Sequence, residues 1–530
     1  MTDLSPDTPV LVGVGQASER VDDAGYQRRS AVELAAAAAR AALADADADV
    51  GAGELATAID TVAGVRQFEI SAPGMPALLG KSDNYPRSVA KRLGAEPRRA
   101  ILEVVGGQAP QHLVTELAGT IAAGAAEVAL VFGAEAISTA RHLATAADRP
   151  DFTEHVAGDL EDRGYGFPGV YSSQFATHGL LEPASQYALC DNARRARLGM
   201  SRADYALAMG ELFAPFTKVA SANPHAAAPV ERDTRELATP SERNRMITDP
   251  YTRFLISREQ VNQGAAALLM SVGAARRLGV PTDNWVFLHG HADVHEQEPI
   301  DRADLSAAPA SVLAIKHALE VAGIDLDKVS ALDLYSCFPI AVFAICDGLG
   351  LAPDDPRGLT LTGGLPFFGG AGNNYSMHAI AEAAARVRAE PGSYALVGAN
   401  GGVLGKYSAG IYSTTPTPWR ADRSDELQAE VDAWPAPEQA EEADGWARIE
   451  TYTVKYARDG QHTGIVLGRL EQDDRRFVAR AADDDAEMLA LLAVDEPIGR
   501  RVYVRSFGFG NRVTTGEARM DELFPAQPAG

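Results

Sequence analysis

A strand, a pair of glycines, a helix and a second strand follow one another twice in this chain. The two copies are, in order, strand 100–105, Gly106-Gly107, helix 111–123 and strand 126–136, and then Phe367-Phe368, Gly369-Gly370, helix 377–389 and strand 394–398. Alternation of this kind is typical of mostly parallel sheets with helices on their faces. The repeat therefore predicts an α/β protein made of two related halves.

The glycine turns are also candidate binding elements. A glycine-rich turn before a helix presents free backbone N–H groups and the positive end of the helix dipole. Such a turn attracts a phosphate, a carboxylate or a developing oxyanion. A third pair, Gly401-Gly402, ends another apolar strand. Glycine clusters also form tight turns without a ligand, so the repeat alone leaves both interpretations open.

Composition and charge exclude several classes of protein. The 530 residues carry a formal net charge of −24, which argues against nucleic acid because phosphate binding needs clustered Lys and Arg. Cys190, Cys337 and Cys346 lack metal-ligand spacing, so we expect no disulfide framework, no metal and no other cofactor. No run approaches about 18 apolar residues and no leader pattern is visible, which favours a cytoplasmic protein without a membrane span.

The pattern changes near residue 414. A Pro-containing acidic stretch gives way at 448–456 to alternation of period two, and the turn Asp459-Gly460 follows, as in a β-hairpin. We predict four segments: an N-terminal half at 1–250 whose region 141–245 covers a site, a C-terminal half at 251–415, an acidic linker at 416–445, and a β-barrel-like domain of the oligonucleotide-binding type at 446–530.

Three loops resemble those of the sterol-carrier-protein-type thiolases. The segment Asp333-Leu334-Tyr335-Ser336-Cys337-Phe338 is similar to their His-Asp-Cys-Phe loop, 363–374 stands in the place of the Gly-His-Pro loop, and 398–402 in that of the Cys-x-Gly-Gly-Gly loop. Together with the β domain, the chain most resembles the actinobacterial thiolase-like protein type one group. The resemblance implies a thiolase fold, two similar βαβαβαββ halves in five layers, plus a small C-terminal all-β barrel-like domain. It also implies a role in acyl-CoA and lipid metabolism.

The chain departs from thiolases at the reactive positions. The resemblance implies that the nucleophilic cysteine falls at Gly107, the activating histidine at Gly370 and the acid/base cysteine at Gly398, while Tyr335 replaces an asparagine or histidine. Loss of a covalent nucleophile costs a factor of about 10⁶ in rate in a well-studied protease. We therefore expect no working acetyl-CoA C-acyltransferase, although that is the activity of the superfamily.

The remaining polar groups are the candidate site. Tyr335 and His378 are the candidate catalytic side chains, His112 is a weaker candidate, and a core role for His378 and simple packing for Cys337 are the alternatives. The candidate substrate-binding residues are Gly107, Gly370, Asn373, Asn374, Gly398 and Asn400. Backbone N–H groups of the glycines are suited to stabilise an oxyanion. Further candidates for contact with a CoA phosphate are Lys406, Arg194, Arg195 and Arg197.

Two classes of function follow from this sequence. The first is an enzyme that binds acyl-CoA or a related thioester and acts on it by non-covalent enolate chemistry. One form of it is a retro-aldolase on 3-hydroxyacyl-CoA, because nucleophile-less relatives in steroid side-chain degradation work as aldolases with a barrel-bearing partner. The second is a non-catalytic binding or scaffold protein that meets a protein partner through its C-terminal domain. A centre closed by Phe367 and Phe368 favours the second class.

The resemblance also bears on the quaternary state. Members of the superfamily usually dimerise through a sheet edge of the first half, so we expect strand 126–136 to pair across a two-fold axis. The extra C-terminal domain is a feature that can block such a surface. A homodimer and a monomer therefore both remain open.

Overall fold

The computed structural model describes residues 4–166, 172–483 and 485–525. The predicted segments 1–250, 141–245 and 446–530 therefore each include a few residues that lie outside the described ones.

The strands are β1 (Pro9–Ser18), β2 (Thr61–Gly64), β3 (Arg99–Leu102), β4 (Val128–Ala136), β5 (Glu161–Asp162), β6 (Met246–Thr248), β7 (Tyr251–Thr252), β8 (Asn262–Ser271), β9 (Phe287–His295), β10 (Val329–Leu334), β11 (Tyr394–Gly401), β12 (Lys406–Ser413), β13 (Gly445–Tyr456), β14 (His462–Leu470), β15 (Arg476–Ala481), β16 (Arg501–Ser506) and β17 (Asn511–Thr514).

The helices are α1 (Ala31–Asp45), α2 (Gly51–Thr57), α3 (Tyr85–Leu93), α4 (Ala109–Ala122), α5 (Ile137–Leu143), α6 (Ser173–Thr177), α7 (Pro183–Arg197), α8 (Arg202–Ala222), α9 (Thr234–Ala238), α10 (Val272–Arg277), α11 (Pro309–Ala322), α12 (Pro339–Leu349), α13 (Tyr375–Ala389), α14 (Ser424–Asp432), α15 (Ala486–Ala493) and α16 (Glu517–Leu523). None of these helices is both long and apolar enough to span a bilayer.

Two sheets enclose a middle layer of two helices. The first sheet has the order β1-β8-β4-β2-β3-β5 and the second the order β10-β11-β12-β9. Helices α4 and α13 lie between them, and a single apolar cluster joins α4 and α13 to both sheets. Helix α1 covers the outer face of the first sheet, and α11 covers that of the second. This arrangement gives the predicted five layers, so the fold prediction is confirmed.

Helix α1 shows how the local sequence specifies the packing. Ser30 caps its first turn in a capping box with Glu33, which satisfies otherwise unpaired backbone donors. The alanine-rich face of α1 then approaches β1 closely, because Gly13 and Gly15 carry no side chain. A Cβ at Gly13 would lie 2.1 Å from the carbonyl oxygen of Ala42. Small residues on both elements therefore set the distance between helix and sheet.

The strand predicted to form a dimer interface is an interior strand. Strand β4 is paired with β8 on one side and with β2 on the other. Its backbone donors and acceptors are therefore already used within the sheet, and pairing of 126–136 across a two-fold axis is wrong. The sequence pattern of a buried strand does not distinguish a central strand from an edge strand, which is why the prediction failed.

The edge of the first sheet at β3 is covered by the chain itself. Strand β5 pairs in parallel with β3, so that Ile101 lies opposite Glu161. The backbone of Val105 donates to the carbonyl oxygen of Tyr165 at 3.2 Å and prolongs the pairing. An edge strand exposes unpaired N–H and C=O groups to other chains. The segment around β5 therefore occupies the place that a partner strand would need.

Arg163 fixes this covering segment to the sheet. Its guanidinium donates to Glu103 at 2.6 Å, and to Glu116 at 2.5 and 2.7 Å. The Glu103 side chain is only 3% exposed. A buried carboxylate is costly without a cation beside it. Burial of the Glu103 carboxylate therefore depends on Arg163, and through Arg163 on the attachment of this segment to the sheet.

We expect Arg163→Ala to cost about 3 kcal/mol, because it leaves Glu103 buried without its cation. The matched control is Arg99→Ala in the same cluster, since Arg99 is an exposed partner of Glu161. An exposed pair contributes at most about 1 kcal/mol. Thermal unfolding followed by circular dichroism measures both variants. Equal shifts of the two midpoints would contradict this account.

The C-terminal strands close into a barrel. Strand β13 pairs with β14 and with β16, and β15 and β17 complete the ring between them. Strands β6 and β7, which precede β8 in the chain, extend this sheet outside the ring. Helix α7 packs on β13, where the Asn192 amide donates to the carbonyl oxygen of Tyr452 at 3.0 Å. The segment predicted as a linker contains helix α14, which contacts β9 and α11.

Candidate active site

Gly107 and Tyr335 form the centre of the candidate site. Gly107 lies between β3 and α4, and Tyr335 directly follows β10. A Cβ at Gly107 would lie 2.1 Å from the Tyr335 hydroxyl oxygen and 2.5 Å from the carbonyl oxygen of Asn400. No real Cβ tolerates such distances. The phenol of Tyr335 therefore fills the volume that a side chain at position 107 would take.

Tyr335 is a buried, neutral phenol. Its side chain packs edge-on against Tyr375, with 5.3 Å between ring centroids. Burial, together with nearby Cys337, raises the pKa of Tyr335 far above the usual value for tyrosine. Among the described residues, no hydrogen-bond partner faces the Tyr335 hydroxyl, and none accepts from the Gly107 N–H. Tyr335 is thus suited to donate a hydrogen bond as a neutral phenol rather than to act as a base.

Asn400 is held next to this centre by Tyr187. The Asn400 amide donates to the Tyr187 hydroxyl at 2.7 Å, and that hydroxyl donates in turn to the carbonyl oxygen of Gly402. The Asn400 amide also approaches the Cys337 sulfur at 3.8 Å. Burial raises the pKa of the Cys337 thiol to about 12. Cys337 is therefore a packed thiol at neutral pH, as one of the sequence alternatives held.

The first turns of α13 fix the loop that carries Gly107. Ser376 donates to the carbonyl oxygen of Gly107 at 2.6 Å. The side-chain oxygen of Asn373 accepts from the Gly106 N–H at 3.0 Å, while its amide donates to the carbonyl oxygen of Arg66. Asn373 is buried and both of its polar ends are used. Asn373 therefore positions the loop, and neither its side-chain oxygen nor its amide is free to bind a substrate.

Asn374 and His378 lie in the core rather than beside Tyr335. The Asn374 amide donates to the carbonyl oxygen of Gly133 at 2.7 Å. His378 Nδ1 is 2.6 Å from the side-chain oxygen of Gln16, and the ring packs against Phe368. Burial, reinforced by His225, lowers the pKa of His378 well below its usual value. His378 is therefore a neutral core histidine at neutral pH.

Gly370 and Gly398 are each faced by a hydroxyl group. A Cβ at Gly370 would lie 2.4 Å from the Ser257 hydroxyl, and a Cβ at Gly398 would lie 2.2 Å from the Tyr407 hydroxyl. The Gly370 N–H already donates to the carbonyl oxygen of Arg258 at 2.8 Å. The structure thus brings Gly107, Tyr335 and Asn400 together. Hydroxyl groups occupy the side-chain volumes at Gly370 and Gly398, and Gly398 lies opposite Leu334, the residue before Tyr335.

A cavity of about 830 Å³ opens beside Ser257. The arginines that line it are Arg243, Arg245, Arg253, Arg258 and Arg458. None of these five forms an ion pair with a described carboxylate, although the chain as a whole is strongly acidic. The Ser257 N–H donates to the carbonyl oxygen of Cys337, two residues beyond Tyr335, so a segment that lines the cavity also supports the centre. Two glutamates, Glu242 and Glu259, also line the cavity. Arginine guanidinium groups are suited to bind phosphate and carboxylate groups.

The basic residues named from the sequence are used elsewhere. Arg194 and Arg197 pair with Asp347, and Arg195 pairs with Glu496. Lys406 donates to the carbonyl oxygens of Val105 and Gly166. The cavity arginines were missed because Arg458 lies about 200 residues beyond the others and only the barrel brings it there. The density of arginine between 243 and 258 was the available signal.

The C-terminal domain and the whole chain each match known proteins. Residues 426–508 match the model of the "thiolase-like protein type 1 additional C-terminal domain" family. A monomeric SCP2-thiolase like protein type 1 from Mycobacterium smegmatis is 51% identical, with a TM-score of 0.83, and the match covers 97% of this chain and 100% of that one. A search among curated proteins gave no significant match.

Two more distant solved structures share the fold. The Ltp2-ChsH2(DUF35) aldolase is 22% identical, with a TM-score of 0.54 over 77% of this chain and 98% of that one. Human mitochondrial 3-ketoacyl-CoA thiolase is 18% identical, with a TM-score of 0.54 over 78% of this chain and 100% of that one.

Fold and comparisons together define a thiolase-fold protein with an appended β-barrel. The chain belongs to the SCP2-thiolase-like protein type 1 family. The family resemblance read from the three loops and the β domain is thereby confirmed.

We expect Gly107→Ala to lower the thermal midpoint by several degrees, because its methyl group collides with Tyr335 and with the Asn400 backbone. Gly53→Ala in α2 is the control, since nothing lies within 4 Å of that position. The double variant Gly107→Ala, Tyr335→Ala should lose less stability than the sum of the two single variants, because removal of the phenol also removes the collision. A Gly107→Ala protein as stable as the wild type would show that Tyr335 does not occupy this volume.

Proposed function

We propose that the protein binds an acyl-CoA or related thioester with its carbonyl oxygen between the Gly107 N–H and the Tyr335 hydroxyl. The observation that carries the proposal is that the Tyr335 hydroxyl lies against Gly107, and that neither this hydroxyl nor the Gly107 N–H has a described protein acceptor. Two such donors stabilise the oxyanion of a thioester enolate, and removal of one donor of this type costs a factor of about 10² to 10³ in other enzymes.

The absence of a nucleophile at this centre supports non-covalent chemistry. The family resemblance places the thiolase cysteine at position 107, where this chain has glycine and where Tyr335 leaves no room for a thiol. Cys337 lies near but is held as a neutral thiol by burial. An acyl-enzyme therefore has no place to form here. The chemistry that remains is stabilisation of an enolate in the bound thioester.

Retro-aldol cleavage of a 3-hydroxyacyl-CoA is the form of this chemistry that we propose. The hydroxyl proton at C3 leaves to a base, the C2–C3 bond breaks, and C3 becomes the carbonyl of a released aldehyde or ketone. The electron pair passes to the thioester enolate, which is then protonated at C2. Tyr335, as a neutral donor, stabilises the enolate oxygen. The shared fold of a named aldolase, Ltp2-ChsH2(DUF35), supports this choice.

The arginine cavity supports CoA as the carrier of the acyl group. CoA carries phosphate groups that need several cations, and the cavity offers five arginines free of carboxylate partners. Charge-assisted hydrogen bonds between arginine and phosphate are among the strong ones. Ser257 and Arg258, which line the cavity, are hydrogen-bonded to the backbone of Cys337 and Gly370, so the proposed phosphate site and the proposed carbonyl site share supporting segments.

A non-catalytic binding function is the second candidate. It is favoured by the burial of the centre, since Tyr335 is 7% and Asn400 1% exposed, and by the packing of Phe368 against Tyr375 and His378. In that case the protein binds the thioester without turnover. The two candidates differ in one measurable property, the release of an aldehyde or ketone.

We expect Arg253→Ala with Arg258→Ala to weaken the binding of acetyl-CoA at least about tenfold, since each lost contact to phosphate is worth about 1.5 to 3 kcal/mol. Calorimetry at two salt concentrations measures this, and the variant should also lose part of the salt dependence. Arg277→Ala, an exposed arginine paired with Glu127, is the control. Unchanged affinity in the double variant would show that the arginines of this cavity do not bind the CoA phosphates.

We expect Tyr335→Phe to keep the affinity for a 3-hydroxyacyl-CoA within a few-fold and to lower product release by about 10² to 10³. Tyr452→Phe, which removes the hydroxyl of a buried tyrosine in the barrel, is the control. A coupled assay for aldehyde or ketone, run over several chain lengths, provides the rates. Binding without any product at all would favour the non-catalytic candidate.

A further inference from the structure

A second cavity, of about 230 Å³, lies near the candidate site but outside it. The turn Gly372–Asn374 separates the two, because Asn373 contacts Gly106 while Gly372 contacts Glu135. The walls of the cavity are mostly apolar and include Val32, Phe68, Met75, Leu78, Ile137 and Phe152. Met75 and Leu78 are large apolar side chains exposed at its margin. We call it the carboxyl cavity, for the acids that line it.

Three acids line the carboxyl cavity, and Glu69 and Glu135 are the two without a described basic partner, since Glu259 pairs with Arg141. Glu135 is 2% exposed, and its Oε1 accepts from the Phe68 N–H at 2.8 Å. Its second oxygen accepts no hydrogen bond from a described residue. Neither acid forms an ion pair with a described cation. A carboxyl group in an apolar wall is costly to ionise unless a cation comes beside it.

The other charged groups of the lining do not compensate these acids. Arg141 is paired with Glu259 at the margin of the cavity. Lys81 is exposed, and its charge opposes the effect of burial on Glu69 only in part. Burial raises the pKa of Glu69 to about 7 and raises that of Glu135 well above its usual value. Both acids are thus poised to lose a proton when a cation enters.

We propose that the carboxyl cavity binds a small organic ammonium ion whose apolar body fills the cavity and whose charge pairs with Glu135 and Glu69. The apolar walls favour such a body, and the two acids favour a cationic donor group. A hard metal ion fits less well, because Ca²⁺ takes six to eight oxygen ligands and Mg²⁺ takes six in octahedral geometry. The proposal is independent of acyl-CoA chemistry at Tyr335.

Proton release is the expected signature of this binding. An ammonium ion favours the ionised form of each acid, so the complex binds fewer protons than the free protein near pH 7. Affinity should therefore increase as the pH rises from 6 to 8, and protons should appear in solution on binding. An uncharged apolar ligand of the same shape should show neither effect.

The test uses the full-length protein and cyclohexylammonium, with cyclohexanol as the neutral counterpart of the same shape. Calorimetry at pH 7 in two buffers of different ionisation enthalpy gives both the affinity and the number of protons released. We expect cyclohexylammonium to bind at least about tenfold more tightly than cyclohexanol, with proton release, and Glu69→Gln to reduce both the affinity and the proton release.

Glu135→Gln is the second variant and should reduce ammonium affinity at least about tenfold while leaving cyclohexanol unaffected. Its thermal unfolding is measured alongside, because Glu135 also accepts from the Phe68 backbone. If it does not fold, Glu69→Gln, which changes a half-buried side chain, decides the question. The proposal is overturned if cyclohexylammonium does not bind at millimolar concentration, if cyclohexanol binds equally well, or if both folded variants bind like the wild type.

Discussion

The absence of a side chain at Gly107 is the constraint on which the site depends. It lets the phenol of Tyr335 and the backbone of Asn400 approach the loop before α4 to distances that no Cβ permits. Around this contact the molecule is close-packed: Asn373 and Ser376 hold the loop from α13, and Tyr187 holds Asn400. The result is a close-packed contact between the Gly107 loop, Tyr335 and Asn400. We propose that the Tyr335 hydroxyl and the Gly107 N–H act as preorganised donors on charge that develops in a substrate.

The second main feature of the structure is the edge of the first sheet at β3. In this chain a segment of the covering region supplies β5 and pairs with β3, and Arg163 joins that segment to Glu103 and Glu116. The edge is thereby closed from within the chain. The 51% identical relative is described as monomeric, which agrees with an edge that is already occupied. The C-terminal barrel contributes elsewhere, packing on α7 and adding Arg458 to the arginine cavity.

Much of the fold could be predicted from the sequence. The strands and helices around Gly106-Gly107 and Gly369-Gly370 have strong periodicity, and the period-two segment at 448–456 lies within β13. Predictions that needed three-dimensional information failed or remained incomplete. Nothing in the sequence shows that β4 is central or that five arginines face one cavity. At the site, the glycines marked where chemistry would be expected, but only the structure shows that Tyr335 fills the volume at Gly107 and that His378 is buried beside Gln16.

The most direct test of the account is a crystal structure of the protein with an unreactive analogue of a 3-hydroxyacyl-CoA, in which an amide or a thioether replaces the thioester. The account predicts that the carbonyl oxygen of an amide analogue lies within hydrogen-bond distance of both the Gly107 N–H and the Tyr335 hydroxyl, with the phosphates among Arg253 and Arg258. Density for the acyl group at another place, or a Tyr335 hydroxyl paired with a protein acceptor in the complex, would contradict it.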